Sequence, residues 1–302
     1  MNLTLVLGLS LTVTIAGAIT NEVPKSAVPS AIALEERDYR ALISADDAAQ
    51  AEVDKWRREN RSATARGGGV ASSELDRRIR DRLKPVQRAY LDFLRRHPNN
   101  VRARLSYGCF LNNQQDEAGA QAQWEKALEL DPNNADAYNN LAGRYCEIGP
   151  PKKAFEFFEK AITLKPSSGI YYHNFADALY VLRGPAMTNY DLSEQQVFSK
   201  ALGLYRTAAR LEPRNFAFAW DYAETYYAVR PFPYAAALQA WTNALANAQN
   251  EGDREAIYVH LARVKMLAGW LAEARAQLNA VTNETPAKAA LLRAIQERQK
   301  AR

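Results

Sequence analysis

Histidine, cysteine and methionine are nearly absent from this chain, which has three His, two Cys and three Met among 302 residues. That scarcity removes whole classes of chemistry. His97, His173 and His260 stand far apart with no Cys, Asp or Glu at ligand spacing, so no zinc or di-iron site is expected and His173 reads as an ordinary polar residue on a helix face. No G-x-S-x-G, no phosphate loop and no G-x-G-x-x-G occurs, which leaves hydrolase and nucleotide chemistry without apparatus. The stretch "RGGGVA" lacks both a following Lys-Ser/Thr and a preceding strand, so it reads as a linker. No cofactor is implied, and the chain is expected not to be an enzyme. Two cysteines cannot make a disulfide framework. Cys109 and Cys146 would lie on related faces of stacked helices about 8–10 Å apart. A disulfide needs Cα atoms within about 7 Å, so unpaired thiols are expected.

Long apolar runs are also missing, with one exception. Residues 1–20, "MNLTLVLGLSLTVTIAGAIT", carry no charge and end in the small-residue triplet Ala16-Gly17-Ala18. That is the shape of a signal peptide cleaved after Ala18, although the usual positive n-region is absent. An uncleaved membrane anchor is the other reading, against which Gly8, Ser10, Thr12, Thr14 and Gly17 interrupt a run already short for a bilayer. Either way the chain is expected to be exported, periplasmic or extracellular, with membrane contact only if the N-terminus stays. Residues 19–29 look like a linker.

What is present is a repeat. "EKALELDPNNADAYNNLA" from Glu125 returns thirty-four residues later as "EKAITLKPSSGIYYHNFA" from Glu159. With Val101 as position 1, Gly108 stands at 8, Ala120 at 20, Trp124 at 24, Ala127 at 27 and Pro132 at 32. With Ala135 as position 1, the same places hold Ala142, Ala154, Phe158, Ala161 and Pro166. Small residues at 8 and 20 let two helices approach, the aromatic at 24 fills the space left, and proline at 32 ends the second helix. One helix pair cannot cover its own apolar faces, so such units must stack.

This pattern resembles the tetratricopeptide repeat, and two consecutive copies keep register without a gap. The resemblance implies an all-α, right-handed superhelical solenoid of antiparallel helix pairs. Further units start at Gly169, Phe216 and near Glu255. The third carries thirteen extra residues, Arg183 to Gln195, expected as an edge loop. Thr285 and Pro286 read as N-cap and first residue of a polar capping helix over residues 285–302. Upstream, a degenerate unit is expected over residues 72–98, its first helix opened by a capping box of Ser73 and Asp76. Before it, "ARGGGVAS" reads as a flexible break and Ser44 to Asn60 as a pre-repeat helix. The resulting division is 1–18 export segment, 19–70 linker and pre-repeat helix, 71–284 solenoid, 285–302 cap.

A curved stack of helix pairs offers a concave surface, and in proteins this one resembles, fixed first-helix positions line that groove and grip a peptide or partner helix. Carried over, they give Asn139, Asn140, His173, Asn174, Tyr180, Trp220, Tyr227 and Arg263 as candidate groove residues. Asn140 and Asn174 share one position in successive repeats, and an amide can both donate to and accept from a peptide backbone. Some relatives clamp a C-terminal carboxylate with Lys, Asn and Arg. Here the equivalent places hold Leu105, Cys109, Asn140, Ile170 and Asn174, while Asp136, Glu147 and Asp177 would repel a carboxylate. Tyr180, Trp220 and Tyr227 instead suggest footholds for a hydrophobic anchor with a basic flank.

Charge supplies a rival surface. The net formal charge is +5, yet residues 52–104 hold fifteen Lys or Arg against seven Asp or Glu. Arg77, Arg78, Arg80, Arg82, Lys84 and Arg88 concentrate the excess. In an exported protein they would meet anionic lipid, acidic glycan or an acidic protein rather than nucleic acid, or else form a solvated helix exterior. The expectation is thus an exported, non-catalytic scaffold binding a protein or peptide, with self-association through the concave face as a variant. The alternatives are a surface adaptor working through the basic face, or an accessory subunit of an envelope enzyme.

Overall fold

The computed structural model describes residues 30–301, so the export segment and linker expected over residues 1–29 lie outside the described residues. The described chain is helical throughout, and its helices pair in sequence order. α1 (Ala31–Ala65) packs on α2 (Ser72–Arg96), α3 (Val101–Asn113) on α4 (Glu117–Leu130), and α5 (Ala135–Ile148) on α6 (Pro151–Leu164). α7 (Gly169–Val181) packs on α9 (Glu194–Leu211), with the short α8 (Arg183–Tyr190) between them in sequence. α10 (Phe216–Thr225) then packs on α11 (Tyr234–Ala246), α12 (Glu251–Leu267) on α13 (Leu271–Asn279), and α14 (Pro286–Lys300) closes the end against α12 and α13. Each pair also touches the next, which makes a solenoid.

The repeat chemistry explains this packing. Ala142, Ala176, Ala223 and Ala262 at position 8, and Ala120, Ala154, Ala201 and Ala237 at position 20, are fully buried. Into the space they leave go the aromatics at position 24: Tyr90, Trp124, Phe158, Tyr205 and Trp241, all buried. Gly108 shows how tight the approach is, because a Cβ built there would stand 2.3 Å from Trp124 Nε1. The junctions are equally regular. His97, Asp131, Lys165 and Glu212 end their helices, a proline follows each, and a backbone N–H three residues on returns to their carbonyls at 3.0 to 3.3 Å. Pro as the second residue of such a turn is already set to its φ. Asn100, Asn134 and Asn215 then cap the next helix through their side chains. Thr285 caps α14 with Pro286 as its first residue.

Four local readings are corrected. The pre-repeat helix is longer than Ser44–Asn60, and it is the packing partner of α2. Residues 72–98 accordingly do not contain two helices: α2 is continuous through Pro85, begins after Ala71 with no side-chain cap, and buries Ile79, Leu83, Val86, Tyr90, Phe93 and Leu94 on one stripe. Pro85 is exposed, so the carbonyl it leaves without an amide partner faces water. The glycine stretch is a pinned hairpin, since the Asn60 amide donates to the Val70 carbonyl at 3.3 Å and accepts from its N–H at 2.8 Å. Gly67 and Gly69 take the positive φ values, 79° and 100°, that this turn requires. Lastly, the expected edge loop from Arg183 folds as α8, because Ala186, Met187 and Tyr190 find apolar cover on α6 and α9. Its Tyr190 hydroxyl donates to Glu159 at 2.9 Å, and Lys200 sits 4.0 Å over the ring.

Candidate functional site: the concave face

Asn139, Asn140 and Asn174 do come together, and they bond first to one another. Asn174 donates to Asn139 Oδ1 at 3.0 Å, Asn139 donates to Asn140 Oδ1 at 3.2 Å, and Asn140 reaches Cys109 Sγ at 3.6 Å. The result is an amide file across three successive first helices, α3, α5 and α7. Asn139 is buried and Asn140 and Asn174 half-buried, so the file lies along the floor of the groove with its outer edge open. Cys109 and Cys146 are both free thiols, as expected; burial pushes the Cys146 thiol up to about 11.

Beside the amides run carboxylates held by tyrosines. Tyr90 donates to Asp46 at 2.6 Å, Tyr171 to Asp136 at 2.5 Å, and Tyr205 to Asp177. Tyr90 and Tyr205 both stand at the repeat's aromatic position 24, so one device recurs in two units. A charge-assisted hydrogen bond fixes each acid's rotamer through one oxygen; the second accepts from Gln50 in Asp46 and faces His173 in Asp177. Burial, followed by these bonds, raises the phenol pKa values well above their usual range. Glu147, expected from the sequence to repel a carboxylate, is held at 2.6 Å by Arg144, a buried guanidinium that also binds Glu117 at 2.7 Å. Next to Asn174 the floor opens into a largely apolar notch of about 320 Å³ lined by Cys146, Phe158, Ala178, Val181 and Leu182, with Glu147 and Asp177 also on its wall. Val181, which is 70% exposed, forms its lip.

Farther along, the predicted footholds are largely occupied by the protein itself. Trp220 stands edge-on to Trp241, with centroids 5.0 Å apart, and donates to Glu224 at 3.1 Å. The Tyr227 hydroxyl contacts His260 Nδ1 at 3.2 Å, its ring stacks on Phe232, and the Arg263 guanidinium lies 4.3 Å over it. His260 in turn stacks on Trp241 at 4.0 Å, and burial, helped by Arg263, holds its imidazole down at about 4. Tyr180 packs on Phe198 at 5.4 Å. Trp220, Tyr227 and Arg263 thus form one cluster, separate from the asparagines.

Between the two regions His173 corrects the sequence reading. It stands one helical turn before Asp177, at ligand spacing, and its ring reaches Asp221 on α10, with Nε2 to Oδ2 at 2.8 Å and Nδ1 to Asp177 Oδ2 at 3.4 Å. The i,i+4 pair was there to be read; Asp221, forty-eight residues on, becomes a neighbour only through the stacking of α10 on the preceding pair. Burial pulls the His173 imidazole down, but the Asp221 hydrogen bond and the two carboxylate charges outweigh it and its pKa is raised.

On α2 the basic residues divide. Arg77 is bonded to Glu74 at 2.6 Å, Arg82 to Glu52 at 2.6 Å, and Arg78 lies 3.7 Å over the Trp56 ring. Arg80, Lys84 and Arg88 are exposed at i,i+4 intervals of α2 and form no ion pair among the described residues.

Stacked antiparallel helix pairs with a groove formed by the first helix of each pair define a helical-repeat scaffold. In particular, the fold is that of a tetratricopeptide-repeat solenoid, and the tetratricopeptide-repeat family model matches residues 124–149, from the aromatic of one unit through the first helix of the next. The structure of PilW, a widely conserved type IV pilus biogenesis factor, covers 70% of this chain and 91% of its own at 18% identity and TM-score 0.53. YrrB, a TPR protein with an unusual peptide-binding site, covers 68% and 98% at 15% identity and TM-score 0.52. The C-terminal part of a TPR repeat-containing protein from Cytophaga hutchinsonii covers 85% and 99% at 12% identity and TM-score 0.54. At those identities the likeness is one of fold. Among curated sequences the chain is 31% identical over 105 residues to the protein O-mannosyl-transferase TMTC3 of Homo sapiens, a match spanning 34% of this chain and 12% of the transferase.

Proposed function

We propose that this protein is a non-catalytic scaffold that holds an extended segment of a partner protein in the half of its concave face formed by α3, α5 and α7. The observation that carries the reading is the amide file from Cys109 to Asn174, flanked by tyrosine-held carboxylates and ending at the apolar notch. Open amide edges pair with a peptide backbone, the notch takes one hydrophobic side chain, and Asp136 and Asp177 favour Lys or Arg beside it. A fold neighbour whose structure is described by its peptide-binding site accords with this use. The match to the transferase spans about three repeats' length, and we read it as shared repeats rather than shared catalysis. The uncharged, apolar first eighteen residues support work outside the cytoplasm, the N-terminus being either a cleaved signal or an anchor.

The test is affinity capture from an envelope extract at low and high salt, using the full chain beside an Asn140→Ala/Asn174→Ala variant and an Arg80→Glu/Lys84→Glu/Arg88→Glu variant. The groove reading predicts a protein kept at high salt by the wild type and the α2 variant and lost by the asparagine variant. The unpaired cations of α2 favour a second reading, an adaptor on anionic lipid or polysaccharide. Capture that ignores the asparagines and vanishes with salt would establish that one instead.

A further inference from the structure

The His173, Asp177 and Asp221 cluster bridges two repeats, for α7 supplies the first two residues and α10 the third. One imidazole nitrogen and two carboxylate oxygens converge there, all within 4.8 Å of one another. Around an ion with bonds of about 2.0–2.2 Å, ligand atoms stand at most about 4.4 Å apart; Asp221 meets Nε2 and Asp177 meets Nδ1, so one carboxylate turns toward the other's ring nitrogen to close the set. The ring and one acid are already held in place. His173 stacks on Phe218 at 4.5 Å and meets the edge of Tyr205 at 5.5 Å, while the Tyr205 hydroxyl occupies Asp177 Oδ1 and leaves Oδ2 facing the histidine. Such outer partners are what orient ligands in metal sites. His173 Nδ1 is buried without a hydrogen-bond partner. Charge points the same way: two carboxylates face one imidazole ring, and a divalent ion would offset both. Both carboxylates remain partly exposed toward the groove, Asp177 by 47% and Asp221 by 35%, so water can complete the coordination.

We propose that His173, Asp177 and Asp221 bind one divalent transition-metal ion, which ties α7 to α10 at the middle of the concave face. The mixed nitrogen and oxygen set suits Zn2+, Co2+ or Mn2+ rather than a soft-metal site, and affinity should rise from Mn2+ to Zn2+. The site is independent of whether the groove holds a peptide.

The test is titration of the untagged, metal-stripped full chain with Co2+, followed by calorimetry and visible absorption, with Zn2+ as competitor. One equivalent is expected, with affinity falling at least about tenfold in Asp221→Asn and His173→Gln, and on the order of 10–100-fold in Tyr205→Phe, a positioning change. Far-UV melts without metal check that each variant folds. The wild type alone is also decisive: the chain has three histidines, and paramagnetic broadening should remove the His173 ring resonances while those of His97 and His260 persist. Absence of binding at millimolar Co2+, a thiolate-to-cobalt charge-transfer band, unchanged affinity in either ligand variant, or broadening of another histidine first would overturn the assignment.

Discussion

The two halves of the concave face use equivalent repeat positions to opposite ends. From α3 to α7 the first-helix side chains are amides and acids that bond along the floor and leave edges open. From α10 to α12 they are aromatics turned onto Trp241 and His260, which fill the groove from within. A repeat position therefore sets where a side chain starts and not whether it is available. The two histidines express the same contrast, His173 being raised by its carboxylates and His260 lowered by burial.

Substituting the buried centre of the second half should have the largest effect. Trp241 is fully buried, and Trp241→Ala is expected to cost about 3–5 kcal/mol, against about 1 kcal/mol for Asn140→Ala in the first half. Urea denaturation of both measures the difference; equal losses would erase the distinction between a packed half and an open one. Acid should separate the halves next. Since His260 titrates at about 4 when folded and near 6.5 when free, its contribution is full above about pH 6.5 and is lost as pH falls toward 4, by up to about 3 kcal/mol. The raised His173 has the opposite sign: its contribution is full below about pH 6.5 and is lost as pH rises through its folded value. Stability profiles of His260→Gln and His173→Gln between pH 4 and 8 should therefore diverge from wild type at opposite ends, and parallel profiles would refute the assignment.

A smaller effect tests how closely the pairs approach. Gly108→Ala drives a Cβ into Trp124 and should destabilise by about 1–3 kcal/mol. Gly143→Ala meets nothing within 4 Å and should gain about 0.5–1 kcal/mol of helix stability. Thermal melts of the pair give the sign directly. If Gly143→Ala also weakens partner capture, the notch beside it is in use.

The repeats were legible because alanine, proline and one aromatic recur at fixed spacing, and close helix approach demands those residues. The start of α1 was not, because only Tyr39 and Leu42 of Ala31 to Ile43 are buried and give a short apolar stripe, and Pro85 concealed the continuity of α2. Arg183 to Tyr190 reads as turn chemistry, and only the cover supplied by α6 and α9 makes it helical. In the groove the sequence placed Asn140 and Asn174 on one line. It could not show that Trp220 and Tyr227 fold inward, nor that Asp221 closes on His173, because these contacts join residues of different helices, Trp241 in the same pair as Trp220 and otherwise residues of adjacent units.

The central claim is that a partner segment lies along α3, α5 and α7. Hydrogen–deuterium exchange of the full chain, with and without the protein captured at high salt, tests it most directly. A segment bound there slows exchange in peptides from residues 101–113, 135–148 and 169–181 and leaves those from residues 72–96 unchanged. Protection confined to residues 72–96, with the three first helices unaltered, would contradict it.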